Sequence, residues 1–116
     1  MYLPAAAQEQ LYAGIDSLAA PGSRLALEEM HPMDAEALEA KRAEERAAGD
    51  QPGTFFTLIN NEKHRDAVHW LGEHGWDANG IVTAEYFREI RRPVPPPETD
   101  GGQMLRSGSL VTATKR

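Results

Sequence analysis

The stretch Ala20-Pro21-Gly22-Ser23-Arg24-Leu25-Ala26-Leu27-Glu28-Glu29 sets the fold. A helix is expected to end at Ala20, Pro21-Gly22 turns the chain, and Arg24 to Glu28 reads as a strand. Glycine tolerates the positive φ that a helix end often needs, and proline cannot continue the helix it follows. A helix feeding a short strand through a Pro-Gly turn is half of a β-α-β crossover. The preceding strand would lie before Pro4, where only Met1-Tyr2-Leu3 remain. The expected fold is therefore α/β, the second half of a doubly wound domain whose first half is absent from this chain.

Upstream of the turn, Pro4 suits a first helical position, where its missing N–H costs nothing. Ala7, Leu11, Ile15 and Leu18 recur at helical spacing, which predicts a helix from Ala5 to Ala20 with that stripe packed on a sheet. Downstream, Arg24-Leu25-Ala26-Leu27 fits a buried parallel strand. Pro32 to Asp50 is a polar helical pattern with Asp34 as N-cap and Leu38 as its one large apolar residue, ended by Gly49 to Gly53. Thr54 to Ile59 is β-prone and reads as a strand or an apolar docking loop, stopped by Asn60-Asn61.

Glu62 to His74 reads as an amphipathic helix with Gly75 after its end, bracketed by Trp70 and Trp76 as packing anchors. Trp76 to Val82 should hold a strand, and Thr83 should cap a helix to Arg91 with Tyr86, Phe87 and Ile90 inward. Pro93, Pro95, Pro96 and Pro97 open an extended connection. Ser109 to Thr114 closes the chain as a β-branched strand.

The 116 residues allow one domain or part of one, and only 7% are aromatic. With so few large apolar side chains the chain has little stability margin alone. A net charge of −6 with mixed signs argues against a nucleic-acid interface. Cysteine is absent, which excludes disulfides and thiol chemistry. No apolar run reaches the roughly 20 residues of a membrane span, so the expected compartment is the cytoplasm.

Little in the chain patterns as chemistry. His64, His69 and His74 are five apart, so on a helix each turns about 140° from the last and the three share no metal-binding face. No strand leads into a glycine turn that opens a helix, so the nucleotide fingerprints are missing. Glu28, Glu29 and His31 stand where the first strand should end, the place where open α/β sheets bind ligands. Adjacent Glu28 and Glu29 point to opposite faces of a strand and make no carboxylate pair.

Met1-Tyr2-Leu3-Pro4 before a helix, followed by Pro21-Gly22-Ser23-Arg24-Leu25-Ala26, resembles the S-adenosylmethionine-dependent methyltransferases of the leucine-carboxyl-methyltransferase type, abundant in actinobacteria. His69-Trp70-Leu71 through Gly75-Trp76 is similar to that family's helix–Gly-Trp–strand step, and Ser109 to Arg116 to its final strand. The likeness covers most of the chain and is weakest over Pro32 to Gly53.

The resemblance implies the C-terminal part of a Rossmann-like class I methyltransferase fold over 1–116. Residues 32–53 would form an inserted cover helix, 91–108 an extended connection, and the last strand would lie in the edge region. It implies S-adenosyl-L-methionine as cofactor, with the glycine loop and ribose-binding acids upstream of Met1. Tyr2 is then the one candidate cofactor-binding residue, a remnant of a pocket wall. The implied reaction moves a methyl group from a sulfonium to a carboxylate or hydroxyl oxygen, with Glu28 or His31 as candidate catalytic residues that orient or deprotonate the acceptor.

Two function classes follow. In one, the chain is the acceptor-binding half of a methyltransferase, inactive unless an N-terminal half is supplied in trans. In the other, it is a truncated, non-catalytic interaction module that self-associates or pairs with another chain through an open strand edge.

Overall fold

The computed structural model describes residues 2–49 and 55–116. The expectations placed on Met1, on Asp50 and Gly53 as helix end and stop, and on Thr54 as a strand start lie outside the described residues. Helix α1 (Ala5–Leu18) leads to strand β1 (Arg24–Met30), then to α2 (Ala35–Ala47) and a single turn, α3 (Phe55–Leu58). Helix α4 (Ala67–Glu73), strand β2 (Trp76–Val82), α5 (Thr83–Glu89), α6 (Asp100–Ser107) and strand β3 (Gly108–Lys115) complete a mixed α/β chain. Among the described residues no helix is long and apolar enough to cross a membrane.

The sheet corrects the sequence reading in two ways. Its order is β1-β3-β2, and β3 runs antiparallel to both neighbours, from Arg24↔Thr114 to Met30↔Gly108 on one side and Trp76↔Lys115 to Val82↔Ser109 on the other. The closing strand is thus central, not in the edge region. Strand β1 is likewise not buried among parallel neighbours. It runs parallel to β2 without pairing with it, and among the described residues it pairs on one side only. Alternation explains the central place of β3. Val111 and Ala113 are buried on one face while Thr112 and Thr114 stay exposed on the other, a period-two pattern that a strand with two neighbours can use on its whole length.

One face of this sheet carries the core. Val111, Ala113 and Trp76 pack with Tyr12 of α1 and with Ala67, Trp70 and Leu71 of α4. Trp70 and Trp76 are the packing anchors expected of them, 5% and 1% exposed. Gly22 and Gly75 turn the chain into β1 and β2 at φ 86° and 81°, values open to glycine without strain. The opposite face is different. Ala26, Asn79 and Thr112 are exposed there, and with Leu110, Ile81 and Tyr86 they line a hollow of about 560 Å³.

Several local expectations shift. Helix α1 buries Gln8 and Tyr12, while Leu11 and Leu18 of the expected stripe are 50% and 89% exposed. Of the stretch read as a strand or docking loop, the described residues 55–59 hold the helical turn α3. Helix α4 starts at Ala67, capped by Asp66, whose carboxylate accepts from the His69 N–H. Thr83 begins α5 without capping it, and its hydroxyl has no partner among the described residues. Tyr86 and Ile90 face outward, 37% and 46% exposed.

The connection over 91–108 is not extended throughout, because α6 fills its second half. Thr99 caps that helix by accepting from the Gly102 N–H. Gly102 within it is required: a Cβ there would collide with the Pro96 carbonyl.

The polar helix is present as α2, with Asp34 accepting from the Ala37 N–H and Leu38 buried. Its return segment is fastened by Arg42, which donates to the Phe56 and Ile59 carbonyls, and the base is closed by Asn61, which bonds both the N–H and the carbonyl of Met33 at 2.8 and 2.9 Å.

Asp16 ties α1 to the sheet. Its carboxylate accepts from the Trp76 indole N–H at 2.7 Å and pairs with the Lys115 ammonium. Lys115 first, then Trp76, holds the Asp16 carboxyl below the ordinary aspartate value. A depressed folded pKa gives stability that is present above the unfolded pKa and lost as pH falls through the folded one. Asp16→Asn should therefore lower the melting temperature at neutral pH, and the gap to the parent should close in acid. A gap that stays constant across thermal melts from neutral to strongly acidic pH would remove the ion pair from the account.

Candidate functional site

A cleft of about 340 Å³ opens at the carboxyl end of β1, between that strand and α1. Strand alternation builds it. Leu27 and Glu29 point to the α1 and α4 side of the sheet, while Glu28 points away and is exposed, shared between the rim of the cleft and the hollow on the opposite face. Leu11, one helical turn from Gln8, forms the opposite wall, and Tyr2 and Leu3 stand at the mouth, 56% and 44% exposed.

The floor is polar and connected. The Glu29 side chain is 2% exposed, and its two oxygens accept from the Ala67 N–H at 3.1 and 3.3 Å, so it also fastens the start of α4. His64 Nδ1 lies 3.4 Å from Glu29 Oε1, and Nε2 lies 3.3 Å from the Met30 carbonyl. A proton on either ring nitrogen therefore has an oxygen acceptor. Gln8 Nε2 sits 3.3 Å from His64 Nδ1 and donates to the Tyr12 hydroxyl at 3.0 Å. That leaves the Tyr12 proton free to donate to a further acceptor.

These contacts replace the grouping drawn from sequence. Glu28 and His31 do not meet over the cleft. His31 lies beyond β1, exposed, with Nε2 3.1 Å from the Ser109 hydroxyl. Tyr2 does line the cleft. The pair brought together is Glu29 and His64, supported by Gln8 and Tyr12, and the last three were not singled out for this place.

A helix assumed to begin at Glu62 had put His64 on the same rod as His69 and His74. The signal that separates it is Asp66, a strong N-cap residue directly before the apolar run Ala67-Val68. The other two histidines lie elsewhere. His69 Nε2 pairs with Glu73 at 3.3 Å, and His74 stacks on Trp70 with ring centroids 3.6 Å apart.

The described residues do not fit S-adenosylmethionine as a whole. The glycines at positive φ (Gly22, Gly49 and Gly75) follow helices and open none, so no backbone turn of the kind that cradles a nucleoside faces the cleft among the described residues.

Burial pushes the Glu29 carboxyl above its ordinary value; the Ala67 N–H and His64 pull against that, and Asp66 adds to it. A raised folded pKa gives stability that is present in acid and lost as pH rises through it. Parent and Glu29→Gln should thus be compared by urea unfolding between about pH 4 and pH 7. The parent's advantage should be largest at the acid end and shrink toward neutrality; an advantage that grows with pH would show that hydrogen bonding, not burial, governs this carboxyl.

No protein-family model matches the chain. It is similar to proteins of mycobacteria that carry a provisional name as S-adenosyl-L-methionine-dependent methyltransferases. The relative from Mycobacterium sp. strain KMS is 52% identical over 115 residues, 99% of this chain and 38% of the relative. That from Mycolicibacterium paratuberculosis is 50% identical over 118 residues, and that from Mycobacterium bovis strain BCG is 42% identical over 118, each spanning 39% of the relative. The chain therefore spans less than two-fifths of the curated relatives it matches, and nearly all of it is matched.

Proposed function

We propose that this chain is the acceptor-binding, C-terminal part of a Rossmann-like methyltransferase of the leucine-carboxyl-methyltransferase type. Together with the rest of such a fold it serves the transfer of a methyl group from S-adenosyl-L-methionine to an oxygen acceptor in the cytoplasm. The observation that carries this reading is the unfinished side of the sheet. Among the described residues strand β1 pairs only with β3, its other edge lies beside the cleft, and about three-fifths of the relative's length lies outside the match. Methyl transfer asks chiefly for alignment and exclusion of water, which a cleft completed by a second body supplies. On this reading the chain by itself is inactive, because the resemblance puts the glycine turn and ribose-binding acids upstream of Met1.

The open β1 edge also favours a second reading, a non-catalytic module that associates with itself or another chain. One experiment separates them. The chain is mixed with the unmatched portion of the Mycobacterium sp. strain KMS relative, and assembly is followed by sedimentation and S-adenosylmethionine binding by calorimetry. A one-to-one complex that binds the cofactor, where this chain alone does not, is expected. Cofactor binding by the isolated chain, or homodimers that ignore the added portion, would sink the acceptor-half reading.

A further inference from the structure

We propose that Glu29 and His64 hold one proton between them at neutral pH, and that its loss in mild alkali loosens the start of α4. The pair is a proton-operated clasp joining β1 to α1 and α4, and it stands apart from the function proposed above.

One buried ring meets more acceptors than it has protons to give. Side-chain exposure is 9% at His64 and 2% at Glu29, so little water reaches either. His64 Nε2 faces the Met30 carbonyl at 3.3 Å. Nδ1 faces the Arg65 carbonyl at 3.1 Å and Glu29 Oε1 at 3.4 Å, and the donor beside it is the Gln8 amide at 3.3 Å. A neutral imidazole has one N–H and one lone pair. With Glu29 ionised, a proton on Nε2 turns the Nδ1 lone pair toward a carbonyl and a carboxylate. A proton on Nδ1 turns the other lone pair toward Met30. Either tautomer sets an oxygen against a lone pair, which is costly away from water.

A further proton removes the conflict. On the ring, it gives an N–H to each side. On Glu29, it lets the carboxyl donate to Nδ1 while Nε2–H serves Met30. Groups this close titrate as a unit, not as two residues. Burial, which pushes the Glu29 carboxyl above its ordinary value, acts in the same direction. Four other titratable groups face the pair among the described residues. Asp66 before α4 and Glu85 of α5, across the hollow they share with Glu29, favour keeping the proton. His31 beyond β1 opposes it, and burial keeps the Tyr12 hydroxyl of α1 protonated.

The proton reaches α4 through Glu29, whose oxygens accept from the Ala67 N–H at 3.1 and 3.3 Å. A carboxylate repelled by the ring lone pair holds that N–H less well. Every bonded partner lies on α1, β1, α4 or the approach to α4, so the clasp makes no use of the unpaired edge of β1.

The test follows the 116-residue chain, labelled at the histidine ring nitrogens and the glutamate carboxyl carbons, by NMR from about pH 5 to about pH 9. The His64 and Glu29 signals should move together, with a shared midpoint above about pH 7. Exchange protection of the Ala67 amide should fall severalfold across the same midpoint. Glu29→Gln gives Nδ1 a permanent donor and still accepts from Ala67, so it should abolish the pH dependence of that protection. If that variant does not fold, the parent titration decides alone. A His64 ring in a single neutral tautomer at neutral pH beside an ionised Glu29 would overturn the proposal. So would separate midpoints for the two residues, or Ala67 protection that ignores the transition.

Discussion

The pairing of β3 with a strand on each side holds the rest of the molecule in place. Strands β1 and β2 are both half-covered ribbons, and they do not pair with each other. Only when β3 enters between them do Leu25, Leu27, Ala78, Val111 and Ala113 form one surface on which α1 and α4 can pack. Because β3 is the last element in the chain, this surface waits on contacts made between residues as distant as Arg24 and Thr114. Such long-range pairing forms late and slowly compared with local helices. The Asp16, Trp76 and Lys115 contacts then fix α1 to the end of the sheet away from the cleft.

Features governed by neighbours in sequence were legible before the structure. Asp34 caps α2, Gly22 and Gly75 turn the chain, Trp70 and Trp76 enter the core, and β2 has the expected bounds. The rest depended on partners that no local pattern names. Hydrophobic spacing marks Ala7, Leu11, Ile15 and Leu18 as the inner stripe of α1; Ile15 does pack against the core, but Leu11 and Leu18 are exposed, and Gln8 and Tyr12 reach the polar floor. The prolines before α6 point to an extended connection, although Gly102 lets α6 lie against the Pro96 carbonyl. The central position of β3 is a matter of strand order, and sequence says little about that.

The site shows the same division. Topology points to the carboxyl end of β1, and a cleft opens there with Glu29 on its floor. Its partner was hidden because His64 lies outside α4, in a segment whose course is set by contacts with Glu29, Gln8 and the Met30 carbonyl. Glu29 also joins two tasks: it holds the first N–H of α4 and faces the cleft. A group so placed is buried and bonded at the floor of the cleft, while Tyr2 and Leu3 at its mouth are exposed.

The two bonds between Asn61 and the Met33 backbone separate the fate of the segment they enclose from that of the sheet. Since the strand end and the entry to α4 are clamped together at that point, residues between them can be lengthened, shortened or exchanged with little effect on β1 or Glu29. The entropic cost of a longer loop rises only with the logarithm of its length. Related proteins could thus diversify this segment by insertion, while β1 and the floor of the cleft stay unchanged.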